Sequence, residues 1–236
     1  VSKIGKSAFS KCRNLKTVNF FINSNLQSIG CSSFLSTKIK QILIPSSVLV
    51  IDDNASKNCR KLKNVEFSQN SNLNLIGNYA FYKTSIESII IPPHVIQIGV
   101  NAFGECRKLE TIEFSENSEL CLIKDSAFTN TAIESILIPQ SVSFIGRSIF
   151  SNCSNLKLVE FSENSNLKYI DSKPFENTKI EFISIPEKFS GIRNGIFKNT
   201  PYLLDISIVS SRRIDDDDCY KTASNDCFIL GISNQN

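Results

Sequence analysis

Apolar residues recur along this chain at two alternating intervals. Phenylalanine stands at Phe9, Phe34, Phe81, Phe103, Phe128, Phe150, Phe175 and Phe197, and Ser56 holds the one remaining slot. The steps between slots alternate between 25 and 22 residues, so a pair of steps sums to 47. Cys12, Cys59, Cys106 and Cys153 keep the 47-residue interval, as do Pro45, Pro92, Pro139 and Pro186, and Phe20, Phe67, Phe114 and Phe161. So many columns in one register define two alternating units. The long one reads I-G-x-x-A-F-x-x-C-x-x-L-x-x-V-x-F-S-x-N-S-x-L, and the short one I-G-x-x-A-F-x-x-T-x-I-x-x-I-x-I-P-x-x-V.

The second half of each unit alternates apolar and polar positions, as in Val65-Glu66-Phe67, which predicts a short strand with Val65 and Phe67 inward and Glu66 outward. In short units the proline after Ile44, Ile91, Ile138 and Ile185 ends that strand, because it has no N–H to donate. In long units Ser68, Asn70 and Ser71 make the turn instead, through side chains that bond to nearby backbone. The I-G-x-x-A-F segment is expected to cross the opposite side as a turn plus a short helical piece. One such coil buries little alone, and stacking joins the Phe, Ile, Leu and Cys columns into one core.

Units of 22 and 25 residues fall inside the window of leucine-rich repeats and are too short for ankyrin, tetratricopeptide or HEAT units. The grammar of Ala102-Phe103 through Phe114, and of Ile136-Leu137-Ile138-Pro139-Gln140-Ser141-Val142, resembles the BspA-like leucine-rich repeat family. The expected fold is an α/β repeat: a right-handed leucine-rich-repeat solenoid of about nine coils, with one short parallel strand per coil. It covers residues 1–209, and residues 210–236 form a degenerate end coil or tail. Val1 falls in the middle of a short unit, so the sequence reads as a piece of a longer array. The resemblance implies a cell-surface or secreted, adhesin-like protein that binds host or matrix proteins. An intracellular scaffold or regulatory protein is the alternative, and it requires reduced cysteines and no glycan.

Composition narrows the picture further. The 236 residues are 41% hydrophobic and 21% charged, and 26 basic against 23 acidic residues leave a formal net charge of +3. That balance argues against nucleic acid as a partner. No apolar run reaches 18 residues, so no membrane span is expected.

Catalytic, cofactor and metal sites are not expected. His94 is the only histidine and sits in the turn column of Ser47, Ser141 and Lys188, with no matching nucleophile column. Asp215 to Asp218 lacks the glycine and spaced ligands of a calcium loop, and no C-x-x-C pair points to zinc. The four cysteines of the 47-residue ladder lie two strand spacings apart, about 10 Å, beyond the roughly 7 Å reach of a disulfide. They are expected to be buried, unbridged small hydrophobes, with Thr37, Thr84, Thr131 and Thr178 in the same slot of the short units. Cys31 and Cys121 read as free thiols, and Cys219 and Cys227 lie in the tail. Asn54 and Asn152 begin glycosylation sequons.

The outward strand column carries the functional expectation. It reads Asn19, Leu43, Glu66, Ile90, Glu113, Leu137, Glu160, Ser184, so aliphatic and acidic rungs alternate. Leu43, Ile90 and Leu137, with Glu66, Glu113 and Glu160, are expected to form an exposed protein-binding stripe. The competing explanation is that aliphatic residues simply favour strands.

Overall fold

The computed structural model describes residues 1–21, 23–186, 189 and 196–209. The tail, with Asp215–Asp218, Cys219 and Cys227, lies outside the described residues, as does Lys188. Within them the chain winds into a parallel β-solenoid of about nine turns. The strands are β1 (Lys3–Ile4), β2 (Ser28–Ile29), β3 (Gln41–Ile44), β4 (Val50–Ile51), β5 (Asn64–Phe67), β6 (Leu75–Ile76), β7 (Ser88–Ile91) and β8 (Gln97–Ile98). They continue as β9 (Thr111–Phe114), β10 (Leu122–Ile123), β11 (Ser135–Ile138), β12 (Phe144–Ile145), β13 (Leu158–Phe161), β14 (Tyr169–Ile170), β15 (Phe182–Pro186) and β16 (Asp205–Val209).

Two faces result, where one strand per coil was expected. The two-residue strands form a continuous back sheet in the order β1-β2-β4-β6-β8-β10-β12-β14. Each contributes an isoleucine to the core, from Ile4 and Ile29 through Ile145 and Ile170. The four- and five-residue strands form the front face as β3-β5, β7-β9 and β11-β13-β15-β16. The I-G-x-x-A-F sequence therefore does two jobs: its Ile closes a back-sheet rung, and its Gly opens a turn.

The turn is not helical, which corrects the α/β expectation: no helix occurs among the described residues. Its hydrogen bonds alternate between two directions. Ala102, Gly104 and Cys106 donate to the carbonyls of Gly99, Asn101 and Phe103 three residues back. Asn101, Phe103 and Glu105 donate instead to Asp125, Ala127 and Thr129 of the next coil, at 2.8–2.9 Å. Left-handed backbone at Asn101 (φ 52°) and Glu105 (φ 59°) turns alternate N–H groups outward along the solenoid. The same four-residue spacing recurs at Ser32 and Ser36, Asn54 and Asn58, and Asn152 and Asn177 hold equivalent left-handed slots in later coils. An α-helix needs consecutive right-handed residues bonded four apart, so stacking displaces it. Ser and Asn suit these slots because a short polar side chain tolerates φ > 0.

Inside the turn face the phenylalanines form a ladder. Phe81, Phe103, Phe128, Phe150, Phe175 and Phe197 stack in sequence with centroids 5.3–6.0 Å apart and ring planes within 18°. Phe9 stacks on Phe34 at 5.5 Å, and the ladder is interrupted only at buried Ser56. Backbone bonds across that coil persist, from Phe34 to Ala55 at 2.8 Å and from Ser56 to Ala80 at 2.7 Å.

The cysteine column holds two departures from expectation. Cys59, Cys106 and Cys153 are buried and unbridged, but Cys12 is exposed. Its coil is covered on one side only in this structure, and Phe9 of the same coil is also exposed. Nor are the buried thiols merely small hydrophobes. Cys59, Cys106 and Cys153 each donate to the carbonyl of Phe34, Phe81 or Phe128 in the preceding coil, at 3.0–3.1 Å. Each also lies 3.1–3.2 Å from the hydroxyl of Thr37, Thr84 or Thr131. The Cys–Thr alternation is thus a buried hydrogen-bond ladder in which each thiol adds a second donor to a turn carbonyl that already accepts from Thr37, Thr84 or Thr131.

Gly99 shows why the turn opens on glycine. A Cβ there would come within 2.6 Å of the Asn78 nitrogen and the Gly77 carbonyl carbon of the preceding coil. That nitrogen donates at 2.7 Å to Asp53 Oδ1, and Asn78 Oδ1 in turn accepts from Val100 N–H at 2.8 Å. Gly99→Ala is expected to push these coils apart and cost about 1–3 kcal/mol, the usual range for overpacking. Asp52, Lys124 and Asp171 occupy the column elsewhere, so the loss is a lowered melting temperature rather than failure to fold. A thermal melt followed by circular dichroism reads it directly.

Candidate protein-binding face

Parallel pairing places the outward column as the alternation requires. Leu43 pairs with Glu66, Ile90 with Glu113, and Leu137 with Glu160. The aliphatic side chains are exposed, at 41% for Leu43, 57% for Ile90 and 55% for Leu137, and the three glutamates point to solvent beside them. The register is therefore correct, since a one-residue slip would bury all six.

The 47-residue period leaves a feature that the alternation did not reveal. Front strands pair within each short–long couple, but β5 is not joined to β7, nor β9 to β11. At these breaks the last phenylalanine of the long unit, read as inward, is only half-buried: Phe67 and Phe114 line the openings. A hollow of about 570 Å³ lies between Phe67 and Ile90, edged by Glu66, Pro92 and His94. Another of about 470 Å³ lies between Phe114 and Leu137, edged by Glu113 and Pro139. A third of about 370 Å³ joins Phe20 and Asn19 to Leu43. The series closes at the fourth equivalent position, where β13 pairs with β15 and Phe161 is buried. Phe67 and Phe114 pack against the core with one side and face the break with the other.

Charge on this face is uneven. Lys63 Nζ lies 3.0 Å from Glu87 Oε1, and the ammonium holds the Glu87 carboxyl below its ordinary value. Among the described residues no ion pair engages Glu66, Glu110, Glu113, Glu134 or Glu160. The middle of the face is accordingly acidic. His94 is exposed at the edge of the Phe67 hollow, with Nδ1 3.1 Å from Glu119 Oε1. Among the described residues no group of three or more His, Cys, Asp or Glu side chains is arranged to hold a metal. No helix there is long and apolar enough to cross a membrane.

A second apolar patch escaped the outward-column reading. Leu158 pairs with Phe182, which is 49% exposed, in a neighbouring column that is polar at Gln41, Asn64, Ser88, Thr111 and Ser135. The shift from polar to apolar along that column was its visible signal.

Repeated two-sided coils carrying an exposed aliphatic and acidic row define a leucine-rich-repeat solenoid. The BspA type leucine rich repeat region matches in six copies, over residues 1–75 and 74–204. The chain belongs to that family. Among solved structures it is similar to the pneumococcal vaccine antigen PcpA, at 21% identity and a TM-score of 0.59 over 88% of this chain. The match spans 64% of the pneumococcal chain. A leucine rich cell surface protein from Faecalibacterium prausnitzii is 25% identical, with a TM-score of 0.44, over 90% of this chain and 78% of that one. A leucine-rich repeat protein from Bacteroides ovatus is 16% identical, with a TM-score of 0.40, over 89% and 82%. A search of curated proteins finds no match.

Proposed function

We propose that the chain is a non-enzymatic protein-interaction module of a cell-surface or secreted, adhesin-like protein, and that its front face holds host or matrix proteins. One observation carries this reading: Leu43, Ile90 and Leu137 stand exposed in one row, alternating with Glu66, Glu113 and Glu160, on front strands backed by the stacked core. Exposed aliphatics rimmed by charge are the composition of an interface core and its edge. The family to which the chain belongs, and its likeness in fold to the pneumococcal vaccine antigen PcpA, support the location. The intracellular-scaffold alternative draws on the six described cysteines, all unbridged.

The test is biolayer interferometry of the immobilised chain against a panel of purified matrix proteins. The double variant Ile90→Lys, Leu137→Lys is expected to weaken capture at least tenfold. Arg147→Ala, exposed on the turn face, is expected to leave it unchanged. Equal capture by both variants sinks the front-face reading, and a cytosolic location of the full protein sinks the adhesin.

A further inference from the structure

Charge is distributed unevenly along the chain. Residues 1–64 hold eleven lysines and arginines against Asp52 and Asp53, a local charge of +9, whereas the whole chain carries +3. The fold gathers six of these cations on one edge, where the turn face meets the front face. The residue after the Cys or Thr rung is Arg13, Lys38 and Arg60 in three successive coils, and the residue leading into the front face is Lys16, Lys40 and Lys63. All six are exposed. Backbone bonds stack the second column directly: Lys40 N–H donates to the Lys16 carbonyl at 3.2 Å, and Lys63 N–H to the Lys40 carbonyl at 2.9 Å. Like charges thus leave the backbone roughly one strand spacing apart, about 4.8 Å, and they repel. Lys63 pairs with Glu87, and among the described residues no ion pair engages the other five.

The first column runs on past Ser85 to Arg107, and there it opens into a hollow of about 410 Å³ between Arg60, Lys83, Arg107 and Lys108. Glu105 is the one carboxylate in its lining, and Arg107 engages it at 3.0 Å. Glu87, outside the lining, lies in the field of Lys108 as well as Lys63. The coils cannot spread to relieve the repulsion, because Asn58 N–H is bonded to the Tyr82 carbonyl at 2.8 Å and Lys83 N–H to the Gly104 carbonyl at 3.0 Å. Uncompensated cations on a fixed frame favour an anion, and the form of the edge selects which kind. A row crossing five coils suits a linear polyanion better than a single phosphate. Its columns carry no exposed apolar residue, so they lack the apolar core of a protein interface and the apolar face that seats in a membrane surface. Nor is there a platform for nucleobases: the rings behind the hollow, Tyr79 and Tyr82, already carry Lys57 at 4.5 and 5.5 Å, and Tyr82 also carries Lys83 at 5.2 Å. No helix among the described residues is available to enter a DNA groove.

We infer that this basic edge binds a linear sulfated polysaccharide. The polymer runs along the solenoid axis, its sulfates meet the columns of Arg13, Lys38 and Arg60 and of Lys16, Lys40 and Lys63, and one sulfate enters the hollow beside Lys83 and Lys108. Guanidinium groups hold such oxyanions through paired N–H bonds, and a polymer that is charged at every unit needs no apolar anchor. The edge is a second surface, separate from the aliphatic and acidic front row, and the inference stands or falls independently of what that row binds.

The probe is a heparin dodecasaccharide titrated into the intact chain by isothermal calorimetry. Heparin is expected to bind, to weaken as sodium chloride is raised, and to bind at least tenfold more tightly than the same oligosaccharide with its sulfates removed. The triple variant Arg13→Ser, Lys38→Ser, Arg60→Ser installs the residue that the column already holds at Ser85 and Ser154, and it is expected to lower the affinity at least tenfold. Arg147→Ser, Lys157→Ser, Lys168→Ser removes the same charge from exposed positions in later coils and is expected to change the affinity less than twofold. If the edge variant melts below the parent, Lys16→Ser with Lys40→Ser in the neighbouring column gives the same reading. Equal weakening by the edge and the remote variants overturns the inference, because the chain would then respond to net charge alone. No binding of heparin, or equal binding of the desulfated oligosaccharide, overturns it as well. So does duplex DNA or a phosphatidylserine vesicle that binds as tightly as heparin, since the edge would then serve a nucleic acid or a membrane.

Discussion

Phe128→Ala is expected to destabilise the solenoid by about 3–5 kcal/mol, the cost of truncating a buried phenylalanine. Phe128 is fully buried and stacks on Phe103 at 5.7 Å and on Phe150 at 5.8 Å, so its removal strips one ring from two contacts. In a linear array each coil is held by its own packing and by its two neighbours. The loss should therefore appear as a break in cooperativity around residues 103–150 rather than as a uniform fall. Hydrogen exchange is the measurement. The N–H of Phe103, bonded to Ala127, and that of Phe128, bonded to Ile149, should lose protection first. Evenly lowered protection along the whole array would show that the ladder is not the coupling element.

Ser56 supplies the reverse experiment. It holds the phenylalanine slot in a coil whose backbone bonds to both neighbours are intact, with Phe34 on one side and Phe81 on the other. Ser56→Phe is expected to join the two halves of the ladder and raise the melting temperature. A fall would mean that neighbouring side chains already fill that layer.

The repeat was legible because identical columns must stack. Its 47-residue period, the short front strands and the exposure of Leu43, Ile90 and Leu137 all follow from alternation that any buried sheet enforces. What stayed hidden depends on where hydrogen bonds go between coils. The Ile-Gly step reads as a turn, and only inter-coil pairing makes its isoleucine part of a second sheet. A stretch such as Asn101 to Cys106 carries no proline and reads as locally helical, yet each second N–H is claimed by the next coil. Phe67 and Phe114 read as core because they share a parity with Val65 and Ile112. Their half-exposure comes from unpaired front strands, a property of two coils together that no single unit encodes. The hollows were invisible for the same reason. The Cys–Thr alternation was visible as a column, but its hydrogen bonds to Phe34, Phe81 and Phe128 carbonyls required the three-dimensional register.

That ladder of thiols makes the array sensitive to alkali. Burial pushes the Cys106 and Cys153 thiols up to about 11, and it raises Cys59 as well, against partial relief from Thr84, Thr131 and Thr37. In the unfolded chain a cysteine ionises at about 8.5. Below that pH both states hold the proton and the full stability is present. As pH rises further, the unfolded state releases protons that the folded state keeps, so stability falls until the folded thiols also ionise near 11. Each unit of separation is worth roughly 1.4 kcal/mol per thiol, which makes Cys106 and Cys153 together a loss of several kcal/mol. Urea titrations at pH 8 and pH 10.5 should show the midpoint fall, and Cys106→Ser with Cys153→Ser should remove most of the difference between them. Iodoacetamide at pH 8 with mass-spectrometric mapping checks the cause: exposed Cys12 is expected to alkylate at once, and Cys59, Cys106 and Cys153 only in denaturant. Alkylation of Cys106 in the native chain at the rate of Cys12 would refute the burial on which the pH dependence rests.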